Sequence, residues 1–348
     1  MRLEQLTFLR FVAAFALVIY HYGTKVFPFN TEFLNLIFRN SNLGVSFFFV
    51  LSGYVLMLAY GNKKLVSKTA FFKKRFARIY PVYIVGISLM VFYYIAYGYF
   101  GNGGTISLVE VISNVFLLQA WIPQHALTIN YVGWSLSVEV LFYLLFPIVL
   151  SSFNRFSLKR VASVVFLIWI VSQVVFWGLK TSDFYDGFPS SSHNFLFYFP
   201  LFHLNQFLVG ALGGWLFVNH RQDLRKYILW FVPFVIVSLV VSIVEVDGCN
   251  GLLSIVFVCL LMSFSVSKGS LVSTLVKPVF VFLGGISYSV YILQVPVFEW
   301  LSVVKTKFSI DVRAETFFFV GCLVLIFVSS LSFRFVEKPI RNWILLKN

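Results

Sequence analysis

The chain has 348 residues, of which 59% are hydrophobic and 11% charged, with a mean hydropathy of +0.89 and a net charge of +14. Soluble domains carry about 25% charged residues, so a water-covered globule is excluded and lipid must be the main solvent. The excess of positive charge does not point to nucleic acid, because its distribution follows the loops, as described below.

In chain order, an apolar run begins at Leu6 after one Arg and one Glu. It is broken by Arg10 and has no A-x-A cleavage site, so it reads as a retained first helix rather than a secretory signal. Further apolar stretches predict helices at roughly 43–60, 79–99, 132–151, 160–179, 199–218, 227–245, 250–267, 279–303 and 315–335, after the first at 6–25. Each is near the ~20 residues that cross a hydrocarbon core. An open sheet would leave backbone groups unpaired in lipid, and the runs are too long for barrel strands. The expected fold is therefore all-α, a polytopic integral membrane helical bundle of about ten transmembrane helices. It is expected to form a single membrane domain over 1–348, with no soluble domain. The stretch 100–131 fits a short amphipathic or re-entrant helix on the outer side, since a span there would break the charge parity.

Twenty of the 27 Lys and Arg residues fall in one alternating set of loops and six in the other, Arg10 being the remaining one. The positive-inside rule then puts both termini in the cytoplasm. The basic loops can also attract anionic headgroups or a phosphorylated ligand. Three cysteines, Cys249, Cys259 and Cys322, have no metal-binding spacing. Neither a disulfide framework nor a metal site is expected.

Ionisable groups inside a membrane are costly, and each is a candidate for function. Arg10, His21 and Glu139 qualify, with His203 and Glu299 near the outer boundary. On an uninterrupted α-helix, eleven residues bring Arg10 and His21 to within about 20° of the same face, about 16 Å apart along the axis. Arg10 snorkelling to headgroups, with His21 marking the outer interface, is the alternative. Acyl transfer to an alcohol needs a base for the hydroxyl proton, and His21 is the best-placed candidate. A transient acyl-histidine is equally compatible with the sequence.

KKRFARIYP at 73–81 is expected at the cytoplasmic start of a helix, with Pro81 in its first turn. Arg75 and Arg78 share a face, and arginine forks suit phosphate; a stop-transfer flank is the alternative. Glu139 lies among apolar residues in WSLSVEVLFYLLFP at 134–147. As a buried carboxylate it needs a partner, with His21, Arg10 and a purely structural ion pair all open. Ser52, in FFFVLSGYVL, reads as a helix-packing or backbone-approach residue.

These pieces together resemble the membrane acyltransferase family 3, which includes bacterial O-antigen and exopolysaccharide O-acetyltransferases. The matching residues are the R-x10-H pair Arg10 and His21, GVSFFFVLSGYVL at 44–56, the R-x-x-R pair Arg75 and Arg78, and WSLSVEVLFYLLFP with Glu139. ISYSVYILQVPV at 286–297 and RFVEKPIRNW at 334–343 complete the series. The resemblance implies a ten-helix core in the bacterial cytoplasmic (inner) membrane. It also implies a cytoplasmic acyl-CoA donor, most commonly acetyl-CoA, which is a substrate and not a bound cofactor. The implied acceptor at the outer face is a glycan or undecaprenyl-linked glycan, such as lipopolysaccharide O-antigen. Arg75, Arg78 and Arg10 would bind the acyl-CoA. His21 would act as base, assisted by Glu139 and Arg10, and Ser52, Gln294 and His203 would contact the acceptor or the oxyanion. Gln294 departs from the pattern, because many members have a histidine there. The C-terminal esterase-like domain of some relatives is expected to be absent. A transporter or flippase for a glycolipid or small anion is the main alternative, although no inverted repeat is visible. A structural or partner-binding membrane subunit is a third.

Overall fold

A computed structural model describes residues 4–62, 67–97, 106–220, 250–267 and 270–346. Its helices are α1 (Gln5–Val18), α2 (Glu32–Phe38), α3 (Leu43–Tyr60), α4 (Lys68–Ala96) and α5 (Leu108–Val115). They continue with α6 (Trp134–Arg155), α7 (Leu158–Lys180), α8 (Ser191–Tyr198) and α9 (204–220). The last are α10 (Ser254–Val266), α11 (Ser270–Leu275), α12 (Pro278–Lys307), α13 (Ala314–Ser332) and α14 (Lys338–Leu346). No strand occurs among the described residues. Eight helical stretches among them are long and apolar enough to cross a membrane, and Ser254–Val266 is apolar but shorter. The helix expected at 227–245 lies outside the described residues. The polytopic helical bundle expected from composition is the fold observed.

Lipid as solvent explains the inside-out surface. On α5, Leu108, Val109 and Ile112 are exposed while Ser113 and Asn114 are buried. α7 likewise exposes Phe166, Leu167 and Val174. As expected for the region around 100–131, α5 is short and does not span. It starts with a capping box, in which Ser107 Oγ accepts from Glu110 N and Ser107 N donates to Glu110 Oε2 at 2.6 Å. Three short 3₁₀ turns follow, at Gln119–Trp121, Pro123–His125 and Tyr131–Gly133. This irregular backbone is held by fully buried amides, a requirement when backbone leaves the helix away from water. Gln119 Nε2 donates to Gly133 O at 2.9 Å, and Asn130 Nδ2 donates to Ile292 O at 3.0 Å. The second bond has a clear cause. Pro296 inside α12 lacks the N–H that would have bonded Ile292 O, and Asn130 supplies the replacement.

Three boundaries differ from the sequence expectation. α4 begins at Lys68, not near 79, capped by Ser67 Oγ accepting from Ala70 N at 3.3 Å. Hydropathy tracks the hydrocarbon-embedded part, whereas the helix continues into KTAFFKKRFAR, which is rich in good helix formers. Pro81 is therefore inside the helix and not in its first turn. The stretch 199–218 is not one helix. Phe199 is extended and Pro200 opens a 3₁₀ turn, because a residue preceding proline disfavours the α region. Finally, the last helix runs past 335 through a π turn, Phe333–Glu337, into the amphipathic α14.

The helices meet closely where glycine permits. A Cβ on Gly53 would lie 2.1 Å from Phe207 O, and one on Gly210 would lie 2.0 Å from Val50 O, so α3 and α9 touch backbone to backbone. Gly284 brings α12 against Thr7 O of α1 in the same way, at 2.2 Å. Gly210→Leu is expected to destabilise the bundle by at least the roughly 1–3 kcal/mol typical of overpacking. The check is the thermal midpoint of the detergent-purified protein, with Gly178→Leu, which faces open space, as the control.

Candidate active site

Two polar clusters gather beside α1, which packs along α12. The first gathers the arginines. Arg10 of α1 is in the electrostatic field of Arg78 of α4, Glu139 of α6 and Glu337 of the π turn. Arg75 and Arg78 both act on Tyr143 of α6, so the expected common face of the two arginines points into the bundle. Arg75 Cζ lies 5.7 Å from the Phe71 ring centroid and 5.8 Å from that of Tyr143. Its Nε is a buried donor without a hydrogen-bond partner among the described residues. A buried orphan donor calls for an explanation, and an anionic ligand would satisfy this one.

Glu139 accepts from Ser52 Oγ at 3.4 Å and from Tyr143 OH through a short hydrogen bond. Of the partners left open for it, His21 makes no contact with Glu139 among the described residues. Arg10 lies within electrostatic reach of Glu139, but the two form no ion pair within 4.0 Å there. Its like-helix partner Tyr143 is one turn away, at i+4. Ser52 holds the carboxylate, and the close backbone approach belongs to its neighbour Gly53. Tyr288 of α12 donates to Ile79 O at 2.5 Å, next to Arg78.

The second cluster surrounds His21. The residue stands on a π turn, Ile19–Gly23, that ends the first helix. A π turn winds more residues per turn than an α-helix, so the straight-helix projection from Arg10 does not carry through the last turn. The His21 ring instead meets Tyr20 and Tyr131 edge-on, each at 5.0 Å between centroids. Tyr131 OH donates to Tyr22 OH at 3.0 Å, and Tyr22 stacks on Phe298 at 4.0 Å. Glu299 acts electrostatically on both Tyr22 and Tyr131. Neither ring nitrogen of His21 has a hydrogen-bond partner among the described residues.

Between the clusters, Tyr291 OH pairs with Ser135 Oγ at 2.9 Å and donates to Val132 O at 3.0 Å. Gln294 is fully buried. Its Nε2 donates to Tyr291 O at 2.8 Å, and its Oε1 is an acceptor without a partner among the described residues. Tyr291 lies in the electrostatic field of both Glu139 and Tyr131, and Tyr131 is the ring that meets His21.

His203 does not join these groups. Its Nε2 donates to Phe197 O at 3.0 Å, and its Nδ1 accepts from Gln206 Nε2 at 3.0 Å. Both nitrogens are consumed in closing the break between α8 and α9, where Phe197 O has lost its helical donor. The expected acceptor contact at His203 is therefore replaced by a helix-capping part. Sequence reading did not single out Tyr143, Tyr288 or Glu337, although all three lie within the segments that carry the resemblance, at 134–147, 286–297 and 334–343. Tyr143 also stands at i+4 from Glu139. Among the described residues no three His, Cys, Asp or Glu side chains come together as a metal site would require.

Comparison with known proteins fits this arrangement. Residues 3–334 match the family described as Acyltransferase domain (Acyl_transf_3). Acyltransferase MdmB of Streptomyces mycarofaciens is 27% identical over 226 residues, covering 61% of this chain and 56% of that protein. SACOL0978 of Staphylococcus aureus (strain COL), whose name gives O-acetyltransferase as a provisional assignment, is 25% identical, covering 96% of this chain and 56% of that protein. O-acetyltransferase OatA of Staphylococcus aureus (strain NCTC 8325 / PS 47) is 23% identical with the same coverage. The chain spans about half the length of the curated relatives it matches. No solved structure matches it. With the family match running over nearly its whole length, the chain belongs to the acyltransferase family 3.

Proposed function

We propose that this protein is a membrane O-acyltransferase that moves an acyl group, acetyl in the first instance, from cytoplasmic acyl-CoA to a hydroxyl of a cell-surface glycan. The glycan is an O-antigen unit or an undecaprenyl-linked precursor, and the membrane is the bacterial cytoplasmic one. The observation that carries this reading is the placement of the polar groups. Arg75 Nε is a buried donor without a partner among the described residues, packed beside Tyr143 and its partner Glu139. His21, at the far end of the first helix, spends neither ring nitrogen on a described partner. The names of OatA and MdmB support the reaction class.

In this reading Arg75 and Arg78 grip the CoA phosphates as bidentate forks, with Arg75 Nε satisfied by the ligand. The pantetheine arm lies along α1 past Arg10 and brings the thioester carbonyl toward His21. A His21 nitrogen takes the proton of the acceptor hydroxyl as its oxygen attacks the carbonyl carbon. The C–S bond then breaks, and the leaving CoA thiolate receives the proton from His21. Glu139, tied to Ser52 and Tyr143, balances the charge of Arg10. Gln294 Oε1, an acceptor, suits a sugar hydroxyl and not an oxyanion. Gln294→Leu is accordingly expected to raise the acceptor KM by about tenfold, the loss of one buried hydrogen bond to a ligand, and to leave the acetyl-CoA KM unchanged.

Two measurements test the function. Mass spectrometry of surface glycans from cells with and without the gene should reveal an added acyl mass that depends on it. Purified protein should release free CoA from acetyl-CoA only when the glycan acceptor is present. Movement of a glycolipid across vesicles without CoA release would instead favour a transporter.

A further inference from the structure

Acyl transfer builds negative charge on the thioester carbonyl oxygen, and that oxyanion needs hydrogen-bond donors already in place. The groups expected to serve it are spent. Ser52 Oγ is bound to Glu139, Gln294 Nε2 to Tyr291 O, and both ring nitrogens of His203 to its own helix break. Arg10 lies eleven residues back along the chain from His21. Beside His21, however, one donor is unspent. Tyr131 OH donates to Tyr22 OH at 3.0 Å, and the Tyr22 hydroxyl proton has no acceptor among the described residues.

The position of this hydroxyl is fixed by packing. Tyr22 follows His21 on the π turn and lies flat on Phe298, at 4.0 Å with 6° between the planes. Phe298 is buried and stacks in turn on Phe318 of α13. A Cβ on Gly321 would lie 2.5 Å from Phe298, so α13 supports that ring closely. Tyr131 stands on the 3₁₀ turn before α6 and meets the His21 ring edge-on. Three side chains therefore close a circuit. His21 and Tyr22 are chain neighbours, Tyr22 and Tyr131 are joined through their hydroxyls, and Tyr131 returns to the imidazole. A hydroxyl that accepts one hydrogen bond donates the next one more strongly. Tyr20 also meets His21, but no hydrogen bond joins it to the pair.

We propose that Tyr22 is a catalytic residue whose O–H donates a hydrogen bond to the oxyanion, with Tyr131 as the positioning residue behind it. The proposal rests on the acyl-transfer reading of the His21 site. As the acceptor oxygen attacks the carbonyl carbon, the carbonyl π pair moves onto its oxygen and His21 takes the acceptor proton. Tyr22 keeps its own proton throughout and shares it with that oxygen. The pair then returns to re-form the carbonyl, the C–S bond breaks, and His21 gives its proton to the thiolate. Glu299, next after Phe298 on α12, acts on both tyrosines. Its charge opposes a second anion here, so the oxyanion needs a donated proton and not merely a dry wall.

The test is the steady-state kinetics of CoA release by the full chain in lipid nanodiscs, with rates normalised to folded protein. Acetyl-CoA and an undecaprenyl-linked O-antigen unit are varied separately. Tyr22→Phe keeps the ring stack and is expected to lower kcat about 10²-fold. Both KM values should stay within about twofold, the pattern of a bond made only in the transition state. Tyr131→Phe removes the bond that orients Tyr22 and is expected to lower kcat about fivefold, again at constant KM. An unchanged kcat in Tyr22→Phe overturns the proposal. A raised acceptor KM at constant kcat does so too, since it makes the hydroxyl a sugar contact. An equal loss in Tyr20→Phe also defeats it, because the effect would then belong to the surroundings of the imidazole in general. Should Tyr22→Phe fail to accumulate, an unchanged kcat in Tyr131→Phe decides against it. Absence of acceptor-dependent CoA release by the unaltered protein would instead remove the acyl-transfer reading and this proposal with it.

Discussion

His21→Ala is expected to lower kcat for acyl transfer by about 10²–10⁴-fold, the usual worth of a positioned acid–base group, with little change in the KM for acetyl-CoA. The ring meets Tyr20 and Tyr131 at 5.0 Å and Tyr22 at 6.2 Å, and spends neither nitrogen on a protein partner among the described residues. Its removal therefore costs little structurally. That is the contrast with His203, whose two hydrogen bonds close a helix break. His203→Ala should reduce the amount of folded protein and leave the specific activity of the remainder nearly intact. Acceptor-dependent CoA release, normalised to folded protein, checks both. A His21→Ala protein that inserts normally and keeps full transfer rules out the imidazole as base.

The second large effect concerns the donor. Arg75→Gln combined with Arg78→Gln is expected to raise the acetyl-CoA KM by about 10²-fold or more, since each charge-assisted bond is worth about 1.5–3 kcal/mol. Arg75→Lys should not rescue it. A lysine keeps the charge but has no planar fork, and its donors sit on a single nitrogen that cannot also stand where the buried Nε does. Raising the ionic strength should weaken donor binding less in the double variant than in the unaltered protein, because fewer charges remain to be screened. Initial rates against acetyl-CoA concentration at two salt concentrations read out both results. A double variant with an unchanged KM would return these arginines to the role of a basic flank.

Composition and hydropathy were sufficient for the fold class, because lipid imposes one constraint everywhere: backbone groups must pair within the helix. The same constraint marked Arg10, His21 and Glu139 as candidates, since a charge in an apolar run is conspicuous. The close approach of α9 to α3 at Gly210 was found only in the structure. The arrangement of the polar groups was a matter for tertiary structure. The spacing of Arg10 and His21 assumes an unbroken helix, and a π turn intervenes. Glu139 had two named partners in one dimension, His21 and Arg10, and only the packing of α3, α4 and α6 brings Ser52 and Tyr143 to it and the arginines within its field. Glu337 lay within the RFVEKPIRNW segment, but only the π turn shows that it packs against Ser289 of α12. Local patterns set which segments leave water. Which polar groups then meet depends on contacts between residues hundreds of positions apart, such as Gln5 and Phe264, and no local pattern encodes those.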